Sequence, residues 1–141
     1  MSAPDTRGNP CGTSSKVALD AAEQALWRMM SFYDAPLADL DAAMAADPGW
    51  PLPHIMKAGF LLSLTEPAML AEADAHLSHA RALSRQATPR ERAHLQAVQV
   101  QVLALVGLDD AGHGGPLRAV AEARLQAAVD DGRGVSAIAL G

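Results

Sequence analysis

The sequence is poor in the features that mark exported, membrane-spanning and disulfide-stabilised proteins. Its single cysteine, Cys11, has no partner within the chain for a disulfide. The first fifteen residues lack the apolar segment of a secretory signal, and no run of about eighteen apolar residues occurs later. We therefore expect a cytoplasmic protein that is neither exported by such a signal nor inserted in a membrane.

Positive charge is also sparse. The chain has 11 Lys and Arg against 16 Asp and Glu, a formal net charge of −5, and its basic residues form no block. Nucleic-acid-binding proteins concentrate basic residues on one face or stripe. We therefore expect no nucleic-acid partner.

Motifs of catalysis are missing as well. The sequence contains no glycine-rich phosphate loop, serine elbow, CxxC pair or HExxH motif. Cys11 lies in a segment rich in glycine, proline and serine, where no orienting base is expected. His94 could titrate near neutrality beside Arg90 and Glu91, but Glu91 has a structural role in a helix cap. We predict no enzyme activity and no cofactor.

Two histidines raise the question of a metal site. His76 and His79 stand three residues apart, with Glu72 and Asp74 nearby and His94 on the next predicted helix. Such spacing can present metal ligands on one helix face. However, no second helix repeats an acidic-histidine pattern, and His79 suits the negative end of a helix dipole. A mostly solvated pair without a metal is the preferred interpretation.

The composition favours helices. Aromatic residues make up only 4% of the chain and alanine supplies much of the 50% hydrophobic share, which predicts an all-α protein. Proline-marked corners separate the predicted helices, and Thr88 and Glu91 form a capping box around Pro89. Residues 1–13 are predicted to be a disordered tail, 14–108 a helical domain, and 109–141 a glycine-interrupted segment with one helix at 117–129.

Corners of one kind recur at Asp34-Pro36, Asp47-Pro48, Glu66-Pro67 and Thr88-Pro89, as in a helical repeat. With Pro48 as a repeat's last residue, the chain resembles the tetratricopeptide repeat (TPR), although Gln24 stands where that repeat usually has glycine or alanine. The resemblance implies TPR-like antiparallel helix pairs in a short right-handed α-solenoid.

More narrowly, the order AADPGWPLPHIMKAGFLL, a long helix and ATPRERAHLQAV is similar to the tetratricopeptide repeat protein 38 family, over residues 17–108. The segment from Thr88 to His94 is its most specific part. Members of that family are longer, which suggests that this chain is truncated or frameshifted near residue 110. The resemblance brings no reaction and no catalytic residues.

These observations predict a helical-repeat module that binds a protein or peptide on a concave surface lined by the first, third and fifth helices. The candidate contacts are Gln24, Arg28, His54, Lys57 and Trp50. Trp50 could instead plug a corner between helices, and the large residues near the end of the first helix are predicted to be core: Trp27, Met29, Met30, Phe32 and Tyr33. The alternatives are a subunit that self-associates through an exposed terminal helix, giving a homo-oligomer, and a small metal-binding protein.

Overall fold

The computed structural model describes residues 2–109 of the chain, with side chains described up to residue 105. These residues form five α-helices and one short 3₁₀ helix at Ser84–Gln86, with no strand among them, as predicted for an all-α fold. The α-helices are α1 (Lys16–Ser31), α2 (Pro36–Ala46), α3 (Leu52–Ser63), α4 (Pro67–Ala82) and α5 (Pro89–Asp109). The predicted helix at 117–129 and the proposed truncation point near residue 110 lie outside the described residues.

The chain divides into two compact units, residues 1–99 and 100–141, and the features below belong to the first. This boundary lies inside α5. Among the described residues, no helix is both long and apolar enough to cross a lipid bilayer.

Proline and capping side chains define the helix ends. α2, α4 and α5 each begin at a proline, and Pro51 and Pro53 flank the start of α3. Proline lacks a backbone donor and has a fixed φ, so it is tolerated only in the first turn of a helix. At α1 the hydroxyl of Ser15 accepts a hydrogen bond from the backbone N–H of Ala18. The proline-marked corners predicted from the sequence are therefore confirmed.

Consecutive helices form two pairs, α1 with α2 and α3 with α4. The short connections fold each second helix back along the first. Small residues occupy many of the buried positions, which allows the helices to approach closely. Fully buried positions include Ala18 and Ala25 in α1, Leu40 and Ala43 in α2, Ile55 and Ala58 in α3, and Ala73, Leu77 and Ala80 in α4.

Two cations that were predicted to contact a partner form ion pairs between helices. The guanidinium of Arg28 on α1 pairs with the carboxylate of Asp39 on α2 at 2.7 Å. The ammonium of Lys57 on α3 lies 2.8 Å from Asp41 on α2 and 3.6 Å from Glu72 on α4. Both side chains are largely enclosed. Their positions indicate a structural role in joining neighbouring helices.

The large residues at the end of α1 are more exposed than the sequence predicted. They were predicted to be core, but Trp27, Met30, Phe32 and Tyr33 are exposed, and the Phe32 side chain is 97% exposed. The buried stripe of α1 consists of alanines, Ala18, Ala22 and Ala25, so α1 is rotated by about one residue from the predicted face. Alanine lets α2 approach α1 more closely than a stripe of large residues would.

Residues 2–13 were predicted to be a disordered tail, whereas the structure folds them into a defined loop. The backbone N–H of Ala3 donates to the carbonyl of Thr13 at 3.1 Å, and the N–H of Cys11 donates to the carbonyl of Ala3 at 3.3 Å. Cys11 and Thr13 are buried. We call residues 2–13 the N-terminal loop.

One buried carboxylate organises this loop. Asp5 accepts hydrogen bonds from the backbone N–H groups of Arg7 and Asn9, at 2.9 and 2.8 Å, and from the side-chain amide of Asn9. Burial by itself would raise the pKa of Asp5, but the hydrogen bonds from Asn9 and Arg7 outweigh it and hold the pKa well below its usual range. The loop is ordered because Asp5 replaces the backbone pairing that a glycine- and proline-rich segment cannot supply.

A second buried carboxylate joins three segments of the chain. Oε2 of Glu91 accepts from the N–H of Thr88 at 2.9 Å, and the hydroxyl of Thr88 accepts from the N–H of Glu91 at 3.2 Å, which confirms the predicted capping box. Oε1 of Glu91 also accepts from the N–H of Gly12 at 2.9 Å and from the indole N–H of Trp50 at 2.8 Å. Glu91 therefore ties α5 to the N-terminal loop and to the corner before α3.

Candidate binding groove

A groove with a volume of about 310 Å³ lies between α1, α3, the start of α5 and the N-terminal loop. Its apolar lining comes from α1 and α3, through Leu19, Ala22, Leu26, Leu52 and Met56. Leu19 and Leu26 face the groove because the smaller residues of α1 occupy the contact with α2. The rotation of α1 that exposed its large C-terminal residues therefore also supplies this surface.

The polar residues of the groove come from the N-terminal loop and from α5. Asp5, Arg7 and Cys11 line it on the loop side, and Arg90, Glu91 and His94 line it on the α5 side. The bonds from Glu91 to Gly12 and Trp50 hold these two sides at a defined separation. The groove is therefore built on fixed hydrogen bonds and is pre-organised.

The most exposed charges at this groove, among residues whose exposure is described, are those of two arginines. The side chains of Arg7 and Arg90 are 48% and 58% exposed, whereas that of Asp5, which pairs with both, is 3% exposed. Arg7 also pairs with the largely enclosed carboxylate of Glu23 at 2.9 Å. An incoming molecule thus meets two guanidinium groups that are anchored from behind by carboxylates.

The thiol of Cys11 and the imidazole of His94 are neutral at neutral pH. Burial, followed by the nearby negative charges of Asp5 and Glu91, raises the pKa of the Cys11 thiol. Partial enclosure and the positive charge of Arg90 lower the pKa of His94. Neutral imidazole both donates and accepts hydrogen bonds, so His94 offers the groove an adaptable polar contact.

The predicted contact residues lie mostly elsewhere. Gln24 is exposed on α1 outside the groove, and Arg28 and Lys57 are held in interhelical ion pairs. Trp50 lines the groove, but it is fully buried and acts as the predicted plug instead of a surface contact. His54 points away from the groove, toward α4.

The three helices predicted to line a binding surface, α1, α3 and α5, each contribute residues to this groove. Sequence reasoning missed Arg7, Glu23 and Arg90 because it assigned the N-terminal loop to a disordered tail. The segment Asp5-Thr6-Arg7-Gly8-Asn9 carried a usable signal, since an aspartate followed by Gly and Asn is typical of a turn closed by a side-chain carboxylate.

A second cluster of functional side chains lies between α3 and α4. The structure places His54 beside His76, with their Nδ1 atoms 3.0 Å apart, and His79 beside both. From the sequence, His76 and His79 are predicted to be a mostly solvated pair, and His94 is the additional ligand that a metal site would use. His94 lies at the groove, and His54 takes the third position.

Comparison of the chain with models of known protein families, with curated proteins and with solved structures finds no match.

Proposed function

We propose that this helical domain binds a short peptide segment of another protein in the groove between α1, α3, α5 and the N-terminal loop. The bound segment would place an apolar side chain against Leu26 and Met56 and a neighbouring carboxylate against Arg7 and Arg90. The observation that carries the proposal is a groove with an apolar lining whose two most exposed charged groups are the guanidinium groups of Arg7 and Arg90, while Glu23 beside them is 19% exposed.

The apolar lining supports the first half of this proposal. Ligand pockets are typically apolar concavities of about 300–1,000 Å³ with a few polar groups that orient the ligand. The groove, at about 310 Å³, lies at the small end of this range, which suits one or two side chains better than a cofactor. Because the site is pre-organised by Glu91, little ordering cost would oppose binding.

The charge arrangement supports the second half. Guanidinium groups bind carboxylates through two parallel hydrogen bonds. Asp5 is positioned behind Arg7 and Arg90, at 3.1 and 3.4 Å, and restricts their side chains while leaving half of each exposed. A peptide carboxylate would therefore meet two guanidinium groups whose side chains have already lost part of their conformational entropy.

The helix pairing is consistent with a TPR-like interaction module, in which first helices of successive pairs line a binding surface. Here α1 and α3 are the first helices of their pairs, and α5 follows them. We therefore also propose that the chain belongs to a TPR-like family, and more narrowly to the tetratricopeptide repeat protein 38 family.

The test is selection of peptides from a displayed library of random dodecamers, followed by titration of a synthetic selected peptide. In a Trp27→Phe background, Trp50 is the remaining tryptophan and its fluorescence reports on the groove. We expect selected peptides to share an apolar residue next to Asp or Glu, and Leu26→Arg to weaken binding at least about tenfold.

Arg90→Gln tests the carboxylate contact, with Arg85→Gln as its matched control because Arg85 is exposed and does not line the groove. We expect Arg90→Gln to weaken binding of the acidic peptide about tenfold and to leave its Asn- or Gln-substituted analogue unaffected. Selected peptides without this pattern, or equal affinity for the Leu26→Arg variant, would refute the proposal.

Self-association is a second candidate, supported by the exposed aromatic residues at the end of α1. Trp27 and Tyr33 contact each other with ring centroids 5.7 Å apart, and Met30 and Phe32 are exposed beside them in sequence. Exposed apolar patches of this kind commonly mark interfaces. Light scattering should then show a concentration-dependent dimer that Phe32→Ser and Met30→Lys dissociate, whereas a monomer at all concentrations would exclude it.

A further inference from the structure

We propose that His54, His76 and His79 form a binding site for one divalent transition-metal ion of the zinc class, between α3 and α4. This site is separate from the proposed peptide groove and does not depend on it. The three imidazoles each offer a ring nitrogen, and these three atoms lie within 4.8 Å of one another.

The helix pair creates the cluster. His54 stands in the first turn of α3, and His76 and His79 stand three residues apart on α4, which packs along α3. The ring centroid of His54 lies 5.3 Å from that of His76 and 5.4 Å from that of His79. Ligands from two packed helices have a defined separation, unlike the single-helix pair considered from the sequence.

The ring-nitrogen spacing is close to that of a metal site. Zinc–nitrogen bonds of about 2.0–2.1 Å in tetrahedral geometry place two ligand nitrogens about 3.3 Å apart. The Nδ1 atoms of His54 and His76 are 3.0 Å apart, so a small rotation of either ring brings both to bonding distance. His79 has an exposed side chain and is free to turn toward the same point.

The protonation states also suit a metal. Without one, the 3.0 Å contact requires one protonated and one unprotonated Nδ1. Neutral imidazole carries one proton on either ring nitrogen, so the rings of His54 and His76 can both hold it on Nε2 and leave Nδ1 for an ion. For His76 this proton would then lie on the nitrogen that is 3.9 Å from Oε1 of Glu72.

Acidic side chains surround the cluster on α2 and α4. Oε1 of Glu72 lies 3.9 Å from Nε2 of His76, on the opposite side of the ring from His54. A carboxylate in this position orients a histidine ligand and increases its basicity. Lys57 is the nearby cation, and its charge is balanced by Asp41 and Glu72. The charges of Lys57, Asp41 and Glu72 sum to −1, which offsets part of the charge of a divalent ion.

Three protein ligands leave one position of a tetrahedral ion open to water. His79 is exposed while His54 and His76 are half-buried, so the open position faces solvent and provides an entry path. This ligand number is typical of metal sites that bind an exchangeable ligand, whereas purely structural zinc sites have four protein ligands.

The experiment uses the full chain without an affinity tag, titrated with Zn²⁺ by calorimetry and with Co²⁺ by visible absorption. We expect one ion per chain, tetrahedral Co²⁺ bands, and an increase in Tm with Zn²⁺. Zn²⁺ binding should weaken at least about tenfold in each of the variants His54→Ala, His76→Ala and His79→Ala. Glu72→Gln should weaken it by a smaller factor. Affinity should fall as the pH is lowered, since protons compete for the ligands.

His94→Ala is the matched control, since His94 lines the groove and does not belong to the cluster of His54, His76 and His79. It should bind Zn²⁺ like the parent protein. Far-UV circular dichroism checks folding, and His54→Asn and His76→Asn serve if an alanine variant unfolds. Undetectable Zn²⁺ and Co²⁺ binding, more than one equivalent site, or equal affinity in all three cluster variants would overturn the proposal.

Discussion

Replacing Glu91 with alanine is the most informative test of this fold, because one carboxylate serves three separate segments. It accepts from the N–H of Thr88 at the start of α5, from the N–H of Gly12 in the N-terminal loop, and from the indole of Trp50 before α3. Glu91 is buried. The alanine variant would leave three donors without their acceptor, the buried indole N–H of Trp50 and the part-buried N–H groups of Gly12 and Thr88.

The expected loss of stability can be estimated from these bonds. A buried donor left without a partner costs about 1–3 kcal/mol. The three costs do not add fully, because water can enter the space and because the variant no longer buries a charge. We therefore expect Glu91→Ala to lower the free energy of unfolding by about 3–5 kcal/mol, which is large for a domain of this size.

Glu91→Gln separates the bonds. Its single acceptor oxygen can keep the bonds to Gly12 and Trp50, but its amide group then faces the N–H of Thr88. We expect a loss of about 1–3 kcal/mol, between the alanine variant and the parent. A double-mutant cycle with Trp50→Phe should give a coupling energy of about 1–2 kcal/mol for the indole bond.

The assay is urea denaturation followed by far-UV circular dichroism, which does not depend on Trp50 fluorescence. Glu66→Ala is the matched control, since Glu66 also stands at the start of a helix but is exposed and makes no capping hydrogen bond. It should cost at most about 1 kcal/mol. If Glu91→Ala costs no more than Glu66→Ala, the proposed role of Glu91 as a three-way connection is incorrect.

Three further predictions follow from local geometry. Metal-free protein should lose stability as the pH falls from 6.5 to about 4. The reason is that His54 binds a proton in the unfolded chain but not in the folded protein, where its pKa is lowered to about 4. His54→Asn should lessen this loss in urea titrations at several pH values, and an unchanged pH profile would contradict the prediction. Phe32 ends α1 with a φ of 53°, so Phe32→Gly should raise stability by about 0.5–1 kcal/mol in thermal denaturation, and a lower Tm would count against this. Gly12→Ala should cost about 2–3 kcal/mol, because its Cβ would lie 2.6 Å from Oε2 of Glu91; the control Gly59→Ala, whose Cβ makes only ordinary contacts, should be neutral or stabilising.

The helix boundaries were largely predictable because they depend on local chemistry. Pro36, Pro67 and Pro89 begin helices whatever surrounds them, since proline cannot occupy the interior of a helix without losing a hydrogen bond. The capping box of Thr88 and Glu91 likewise needs only residues three apart. Burial of Trp50 was one of two stated alternatives.

The rotation of α1 was not predictable from periodicity. Its sequence offers an alanine stripe at residues 18, 22 and 25 and a stripe of larger residues one position further along. Both stripes satisfy helical spacing, and the stripe of larger residues was predicted to be buried because it offers more apolar surface. The contact with α2 selects the alanines, so the larger residues line the groove or face solvent.

The amino-acid sequence alone determined where helices begin and that no strand interrupts the described residues, since these depend on neighbours a few positions apart. The tertiary structure decided the order of the N-terminal loop and both candidate sites. Asp5 meets Arg90, Trp50 meets Glu91, and His54 meets His76. Such contacts join residues on different elements, and their energies exist only once the helices have packed.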